Sequence, residues 1–296
     1  MLQLVNPQWS AYELLDSGGY EKLERYGAYV LRRPEPQAVW PKRLTESEWE
    51  ARCHAWFKKQ KPNASQDSGE RGEWVLRKGM PDQWVIEYPL FGQKMHFRLG
   101  MTAFKHIGIF PEQSSNWDFI HQRIQALPKS EEAEVLNLFA YTGGASLAAA
   151  LAGARVTHVD SVKPVVNWAR ENATATGTDR IRWIVEDAMK FVLRAQRRGS
   201  RYHGILLDPP AYGRGADGEK WILESHITRL LEVCAELLLP GGFVVLNLYS
   251  MGFSPIIAEN LLHYYFKKGV SEIESGELMV ADTHGVRLPL SVYARF

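Results

Sequence analysis

Cysteine is nearly absent: 296 residues carry only Cys53 and Cys234. Two thiols so far apart give neither a disulfide framework nor metal-ligand spacing. No apolar run approaches membrane-spanning length, and the opening MLQLVNPQWS lacks the basic-then-apolar pattern of a secretory leader. The expectation is a cytoplasmic protein. An excess of one charge sign is missing too, the formal net charge being +1. Without a large basic footprint, any nucleic-acid contact must come from a local patch. None of the 9 histidines has metal-ligand spacing, and no internal repeat is evident. Apolar content of 45% and charged content of 23% are ordinary for a globular chain, long enough for one large or two modest domains.

The sequence is organised around EVLNLFAYTGG, Glu134 to Gly144. Val135, Leu136, Leu138 and Phe139 make a short apolar run suited to a strand buried on both faces. Thr142-Gly143-Gly144 ends it, and the alanine-rich stretch Ala145 to Leu151 follows. A buried strand, a glycine turn and a helix start form the first half of a nucleotide-binding βαβ unit, where glycine lets backbone approach a ligand. Three later apolar runs each end in acid. Arg155 to Val159 stops at Asp160, about twenty residues past the turn, where a carboxylate can take both hydroxyls of a ribose. Ile181 to Val185 ends in Glu186-Asp187, and His203 to Leu207 ends in Asp208-Pro209-Pro210. Strands alternating with helices predict a parallel sheet with its ligands at the carboxyl ends, so the three carboxylates converge on one crevice. Any one of them alone can equally be a helix N-cap. A dinucleotide-binding dehydrogenase would carry Gly-x-Gly-x-x-Gly after the first strand, and Ala140 to Ala145 does not supply it.

Taken in order, NLFAYTGG, VD, ED, LLDPPAY and Pro240-Gly241-Gly242 resemble the motifs of class I S-adenosylmethionine-dependent methyltransferases. More narrowly, the chain resembles the bacterial ribosomal-RNA methyltransferase family that includes the 23S cytosine-5 enzymes. The resemblance runs from about Phe104 to Phe296 and includes the segment Phe104 to Gln113 ahead of the first core strand. It implies an α/β chain with a Rossmann-like methyltransferase sheet, S-adenosyl-L-methionine as cofactor, and RNA, most naturally ribosomal, as substrate. It also implies that Asp160 binds the ribose, Asp187 the adenine amino group, and the turn Phe139, Ala140, Tyr141, Thr142, Gly143 and Gly144 the amino-acid end. Lys105, Phe110, Asn137, Ser161, Ala188 and Asp208 complete the expected cofactor contacts. Asp208, Pro209 and Tyr212 are the expected catalytic residues, and no metal is expected.

Residues 1–100 have a different texture and are read as a small α+β substrate-recognition domain, with the methyltransferase domain over residues 101–296. Strand-like Ala28 to Leu31 and Trp74 to Leu76 flank a helical stretch, about Glu46 to Lys59, with Thr45 or Ser47 as its cap. The polar stretch Lys61 to Gly69 is expected to be a mobile surface loop. Trp84 to Tyr88 and Lys94 to Arg98, joined through Gly92, suggest a hairpin. Further on, Trp117, Ile120, Ile124 and Leu127 have amphipathic helical spacing. A long helix is predicted from about Trp221 to Leu239, ended by Pro240-Gly241-Gly242 and followed by the strand Phe243 to Leu248. Ser254-Pro255 opens another helix, with Ser as cap and Pro at its first position. Ser271 to Phe296 reads as two strands joined by a polar turn.

Methyl transfer from a sulfonium is an in-line displacement, so the protein mainly aligns donor and acceptor. Asp208, with the carbonyl of Pro209, can accept hydrogen bonds from an exocyclic amine, and prolines leave this backbone rich in acceptors. Tyr212 can stack on a flipped-out base or anchor the loop it sits in. Cytosine-5 methylation needs a cysteine thiolate, which the cytosine-5 relatives carry just after the fifth strand. Here Asn247-Leu248-Tyr249-Ser250-Met251 has none, and Cys234 lies on the apolar side of a helix as an inert thiol. This departure favours a nitrogen or oxygen acceptor.

Lys190, Arg194, Arg197, Arg198 and Arg201 can contact phosphates or form a solvated helix end. Arg32-Arg33, Lys42-Arg43 and Lys58-Lys59 offer an equal footprint. His106 is placed at the cofactor rim, and the loop Gly213 to Gly218 can close over substrate. The alternatives kept open are a methyltransferase acting on a small molecule or protein, and a cofactor-binding RNA module without catalysis.

Overall fold

The four apolar runs that end in glycine or acid become four neighbouring parallel strands. In the computed structural model, which describes residues 3–4, 9–59, 71–128, 132–214, 218–249 and 252–296, the chain begins with β1 (Gln3–Leu4) and a small sheet. That sheet contains β2 (Tyr12–Gly18), β3 (Glu21–Tyr26), β4 (Tyr29–Pro34), then α1 (Glu46–Arg52), β5 (Ala55–Lys59) and β6 (Gly72–Leu76). A hairpin of β7 (Gln83–Leu90) and β8 (Gln93–Gly100) leads to α2 (Ser114–Gln125). The α/β unit follows as β9 (Glu134–Leu138), α3 (Gly144–Leu151), β10 (Arg155–Asp160), α4 (Lys163–Thr176), β11 (Ile181–Val185), α5 (Ala188–Arg197) and β12 (Tyr202–Leu207). A short hairpin, β13 (Tyr212–Arg214) and β14 (Lys220–Ile222), precedes α6 (Leu223–Leu237) and β15 (Leu238–Leu248). The chain ends with α7 (Pro255–Phe266), β16 (Glu274–Ala281) and β17 (Arg287–Arg295). The expected linker Lys61 to Gly69 and the pair Ser250-Met251 lie outside the described residues.

The large sheet has the order β1-β16-β17-β15-β12-β9-β10-β11. Strands β15, β12, β9, β10 and β11 are parallel, β17 runs antiparallel to β15 and β16, and β1 joins β16 in parallel. This is a Rossmann-like methyltransferase sheet with an N-terminal small sheet, as the sequence implied. Apart from Glu134 and His203 near their starts and the buried Asn137, strands β9 and β12 are apolar, consistent with helices covering both faces. Gly144, the first residue of α3, lets that helix approach α2: a Cβ there would stand 2.8 Å from the Trp117 ring.

One apolar cluster runs across residue 100, from Tyr12, Leu14, Tyr26 and Leu31 through Trp84, Tyr88 and Phe97 to Trp117, Val135, Phe243 and Leu288. The small sheet is also tied to the C-terminal hairpin. Gln37 donates to the Leu290 carbonyl at 3.3 Å, and the Thr283 backbone and hydroxyl donate to the carbonyls of Leu14 and Leu15 at 3.2 and 3.0 Å.

Three expectations for local structure need correction. Pro240-Gly241-Gly242 does not stop α6, which ends at Leu237, but lies within β15. The helical stretch ends at Arg52 rather than Lys59, and Ala55–Lys59 is a strand that pairs in parallel with β4 and antiparallel with β6. The start was read correctly, since Thr45 and Glu48 form a capping box. The helix expected from Trp221 begins at Leu223, because Trp221 and Ile222 pair with Gly213 and Tyr212 instead.

Candidate functional site

Register fixes the site. Leu138 pairs with Val159 on one side and Leu207 on the other, so the residues that follow, Phe139, Asp160 and Asp208, leave the sheet side by side. Asp160 in turn pairs with Val185, and the Glu186 amide donates to the Asp160 carbonyl at 3.1 Å, which brings the end of β11 to the same edge. The sequence therefore gathers its acidic strand ends through simple ladder alignment.

The turn after β9 is strained in an alternating way. Phe139 and Tyr141 take φ of 55° and 49°, and Gly143 takes 91°. Left-handed backbone at two aromatic residues costs of order 1–3 kcal/mol each, and such strain collects at ligand-binding sites. The surroundings hold it in place. Asp160 accepts the Tyr141 amide at 3.0 Å through one oxygen and the Val162 amide at 2.9 Å through the other. Thr142 donates its hydroxyl to the Gly108 carbonyl at 2.7 Å, and Asn172 donates to the Thr142 carbonyl at 3.0 Å. Burial holds the Asp160 carboxyl above its ordinary value, outweighing the two amide hydrogen bonds that lower it. Asp160 thus fastens the turn through both of its oxygens.

A cavity opens at this edge. Among its lining residues are Phe110, Gln113, Asn116, Asn137, Phe139 to Gly144, Asp208 and Asn247. It thus brings together most of the residues expected to touch a cofactor. Lys105, Asp160, Ser161, Asp187, Ala188, Pro209 and Tyr212 do not line it. Asp187 caps α5, accepting the Lys190 amide at 2.9 Å, which is the alternative role the sequence allowed. Asn137 is 2% exposed and gives its amide to Ser146, bracing α3. His106 lies beside the cavity, its ring 5.3 Å from that of Phe110, and burial drives its pKa down to about 3.

Asp208 is the exceptional group. Its Oδ1 is buried and has no hydrogen-bond partner among the described residues. Burial, with a smaller contribution from Glu112, raises its pKa to about 7. Tyr249, one residue past β15, feels the charge of Asp208. The Tyr249 hydroxyl accepts from Gln113 at 2.7 Å and donates to Glu112 at 3.3 Å. Gln113, Asn116 and Asn247 share a closed set of amide hydrogen bonds of 2.9–3.0 Å, held at the far end by Arg295, which donates to Asn116 at 2.8 Å. Glu112 is 3% exposed, and burial raises its carboxyl against the pull of Lys22. Glu112, Gln113 and Tyr249 were not read as site residues. The only sequence signal was that polar side chains flank an otherwise apolar strand end and helix start.

Cys234 is fully buried, and burial pushes its thiol far above the ordinary value. Tyr212 is 47% exposed at the base of the β13–β14 hairpin; residues 215–217 of the loop expected to close lie outside the described residues. The basic clusters are partly spoken for. Arg194 pairs with Glu186, Lys190 with Glu219, and Arg32 and Lys42 both with Glu21 and Glu46. Arg33 turns inward to Glu24 at 2.6 Å and to the Lys105 carbonyl at 3.2 Å, so it leaves the surface altogether. Lys58, Lys59, Arg197, Arg198 and Arg201 remain exposed.

The cavity, with its left-handed turn, its glycines and its orphaned carboxylate oxygen, fits a ligand that is polar along one edge and brings hydrogen-bond donors or positive charge. The comparisons with known proteins agree. A family model for S-adenosylmethionine-dependent methyltransferases matches residues 63–264. The structure of the SAM-dependent methyltransferase from Agrobacterium tumefaciens superposes with a TM-score of 0.87 at 36% identity, covering 100% of this chain and 93% of that one. The SMU.776 structure with SAH bound superposes at 0.70 with 17% identity, over 97% of this chain and 76% of that one, and shows the shared fold. Ribosomal RNA large subunit methyltransferase K/L of Shewanella sediminis is 31% identical over 156 residues, which is 51% of this chain but 20% of that protein. The chain thus spans about a fifth of the length of that curated relative. Among the described residues, no helix is long and apolar enough to cross a membrane. The chain belongs to the S-adenosylmethionine-dependent methyltransferase family, and S-adenosylmethionine is its cofactor.

Proposed function

We propose that this methyltransferase modifies an exocyclic amine of structured RNA, ribosomal RNA by preference, and that Asp208 with the adjoining prolines holds the acceptor. The observation that carries the reading is the orphaned Asp208 Oδ1 at the end of β12, beside the cavity-lining turn. A buried carboxylate oxygen without a partner has its desolvation cost uncompensated until a donor arrives, and an amine brings that donor. The bound cofactor supplies an electrophilic methyl on a sulfonium. The chain's residues supply alignment, which is where catalysis of such displacements resides.

In this reading the Phe139–Gly144 turn and Phe110 hold the amino-acid end, Asp160 the ribose, and Asp187 the adenine amino group. Each oxygen of Asp160 and one of Asp187 already accepts an amide, and each carboxylate keeps lone pairs for a ligand. Lys105, Ser161 and Ala188 flank these positions. A domain division near residue 100 fits the reading, with the small sheet presenting RNA to the crevice through exposed cations such as Lys58 and Lys59.

An RNA substrate is supported by the likeness to the K/L enzymes, named for ribosomal RNA of the large subunit. A heteroatom acceptor is supported by the lack of any cysteine in Asn247-Leu248-Tyr249-Ser250-Met251 after the fifth strand, and by the buried, high-pKa Cys234. The test compares modified nucleosides by mass spectrometry in cells with and without the protein, complemented by wild type or Asp208→Ala. The expected result is one N-methylated nucleoside that disappears with the gene and returns only with wild type. An unchanged RNA profile, with methyl transfer to a small molecule or protein, overturns it.

A further inference from the structure

We infer that Trp221 is a positioning residue that couples the cofactor turn to the acceptor loop, so that cofactor occupancy sets the placement of Asp208. The inference rests on the reading of Asp208-Pro209-Pro210 as the loop that holds the acceptor.

The argument begins with a deficit of the sequence. Pro209 and Pro210 have no amide hydrogens, so this pair after Asp208 has no donors with which to fasten itself. It can be held only through its carbonyls, by donors from elsewhere. The structure supplies two in succession. The Trp221 indole donates to the Pro210 carbonyl at 2.7 Å, and the Leu223 amide donates to the Ala211 carbonyl at 3.0 Å. Both come from the β14–α6 junction.

Trp221 has a second contact of a different kind. Its ring centroid lies 4.8 Å from that of Phe139, the first left-handed residue of the cofactor turn, in a tilted contact, and the same ring stacks on His226 at 5.5 Å. Phe139 and Pro210 belong to different strand ends, and one 5% exposed side chain touches both. A third tie reaches the end of β11, because Glu219 beside β14 pairs with Lys190, whose amide is capped by Asp187. A tryptophan that only filled the core would need neither an indole acceptor on the proline loop nor a face against the strained turn. Any ligand that fixes Phe139 therefore fixes the ring, and through its N–H the carbonyl two residues past Asp208.

The test uses Trp221→Phe, which keeps an aromatic face for Phe139 and removes only the donor to Pro210, with SAH as the probe. In wild type, hydrogen-exchange mass spectrometry is expected to show SAH slowing exchange at Ala140 to Gly144 and also at Ala211 to Gly213 and Lys220 to Leu223. In Trp221→Phe the first protection persists and the second falls at least threefold. Turnover on RNA from cells lacking the protein is expected to fall at least tenfold, with KM for S-adenosylmethionine within twofold and the calorimetric SAH stoichiometry unchanged. That unchanged stoichiometry excludes a loss of folded protein. Trp221→Ala, which removes the ring as well, is expected to weaken SAH binding too. Wild type without SAH protection at the hairpin arms, or Trp221→Phe with full protection there, overturns the inference. If wild-type protein labels no RNA, the substrate reading falls, and the exchange measurement still decides the coupling.

Discussion

Replacing Asp208 by asparagine should make the protein more stable as the pH rises relative to wild type, and less active. The folded-state carboxyl has a pKa of about 7 against an ordinary 3.8, with burial as the main cause. The sign follows from linkage. Between these values the unfolded chain has released its proton while the folded chain keeps it, so wild-type stability declines as pH rises from about 4 to 7 and is level above. A shift of about three units corresponds to roughly 4 kcal/mol in full, of which about 2.5 kcal/mol accrues between pH 5 and pH 8. Asparagine has the same shape and no proton to lose, so this decline is absent from the variant. Its extra buried N–H subtracts a pH-independent cost of about 1–3 kcal/mol, so the slope of the difference, not its absolute value, carries the prediction. Glu112 titrates in both proteins and cancels to first order. At about 2 °C per kcal/mol for a chain of this size, the melting temperature of Asp208→Asn relative to wild type should rise by about 5 °C from pH 5 to pH 8. Thermal melts without cofactor across that range are the assay. A difference that stays flat or falls with pH would refute the account of Asp208 as a buried carboxylate without a partner.

Three other outcomes follow from the same geometry. Asp160→Ala should weaken SAH binding in calorimetry by about 2–4 kcal/mol, and should also lower the melting temperature, since the amides of Tyr141 and Val162 lose their acceptor; intact binding would remove Asp160 from the ribose. Cys234→Ser should remain active and 5-fluorocytosine-substituted RNA should trap no adduct, whereas an adduct abolished by the serine variant would restore the cytosine-5 route. Gly108→Ala should destabilise the fold by about 2 kcal/mol or more in urea titrations, because a Cβ would stand 2.3 Å from the Trp168 ring at a φ of +99°.

Much of the parallel sheet is legible in the sequence because buried strands are nearly pure apolar runs, and β9 to β12 each end in a glycine turn or acid. The small domain is less so. Trp49, Cys53, Trp56 and Phe57 satisfy helical spacing, yet Ala55–Lys59 is extended because β4 and β6 offer hydrogen bonds on both sides, a tertiary choice. The same limit governs the site. Asp208 is conspicuous in sequence, but its missing partner depends on what surrounds it in space. Tyr249 and Glu112 meet across 137 residues, and nothing local to either announces the other. Trp221 reads as the start of a helix until its pairing with Gly213 turns it toward Pro210.

The ties between the small sheet and the C-terminal hairpin also set an order of events during synthesis. The Leu15 carbonyl waits for a hydroxyl 268 residues downstream, and Gln37 for a carbonyl 253 residues away. Contacts so distant in sequence form late and slow the overall reaction. At elongation rates of about 5–20 residues per second, the first sheet, complete only at Leu76, must stand for roughly 10–40 seconds before Thr283 is made. Throughout that interval the apolar side chains it later buries against the rest of the chain are uncovered. The nascent protein thus presents a chaperone or protease with a target that the finished enzyme no longer displays, and slowing translation late in the message should lower its yield more than slowing it early.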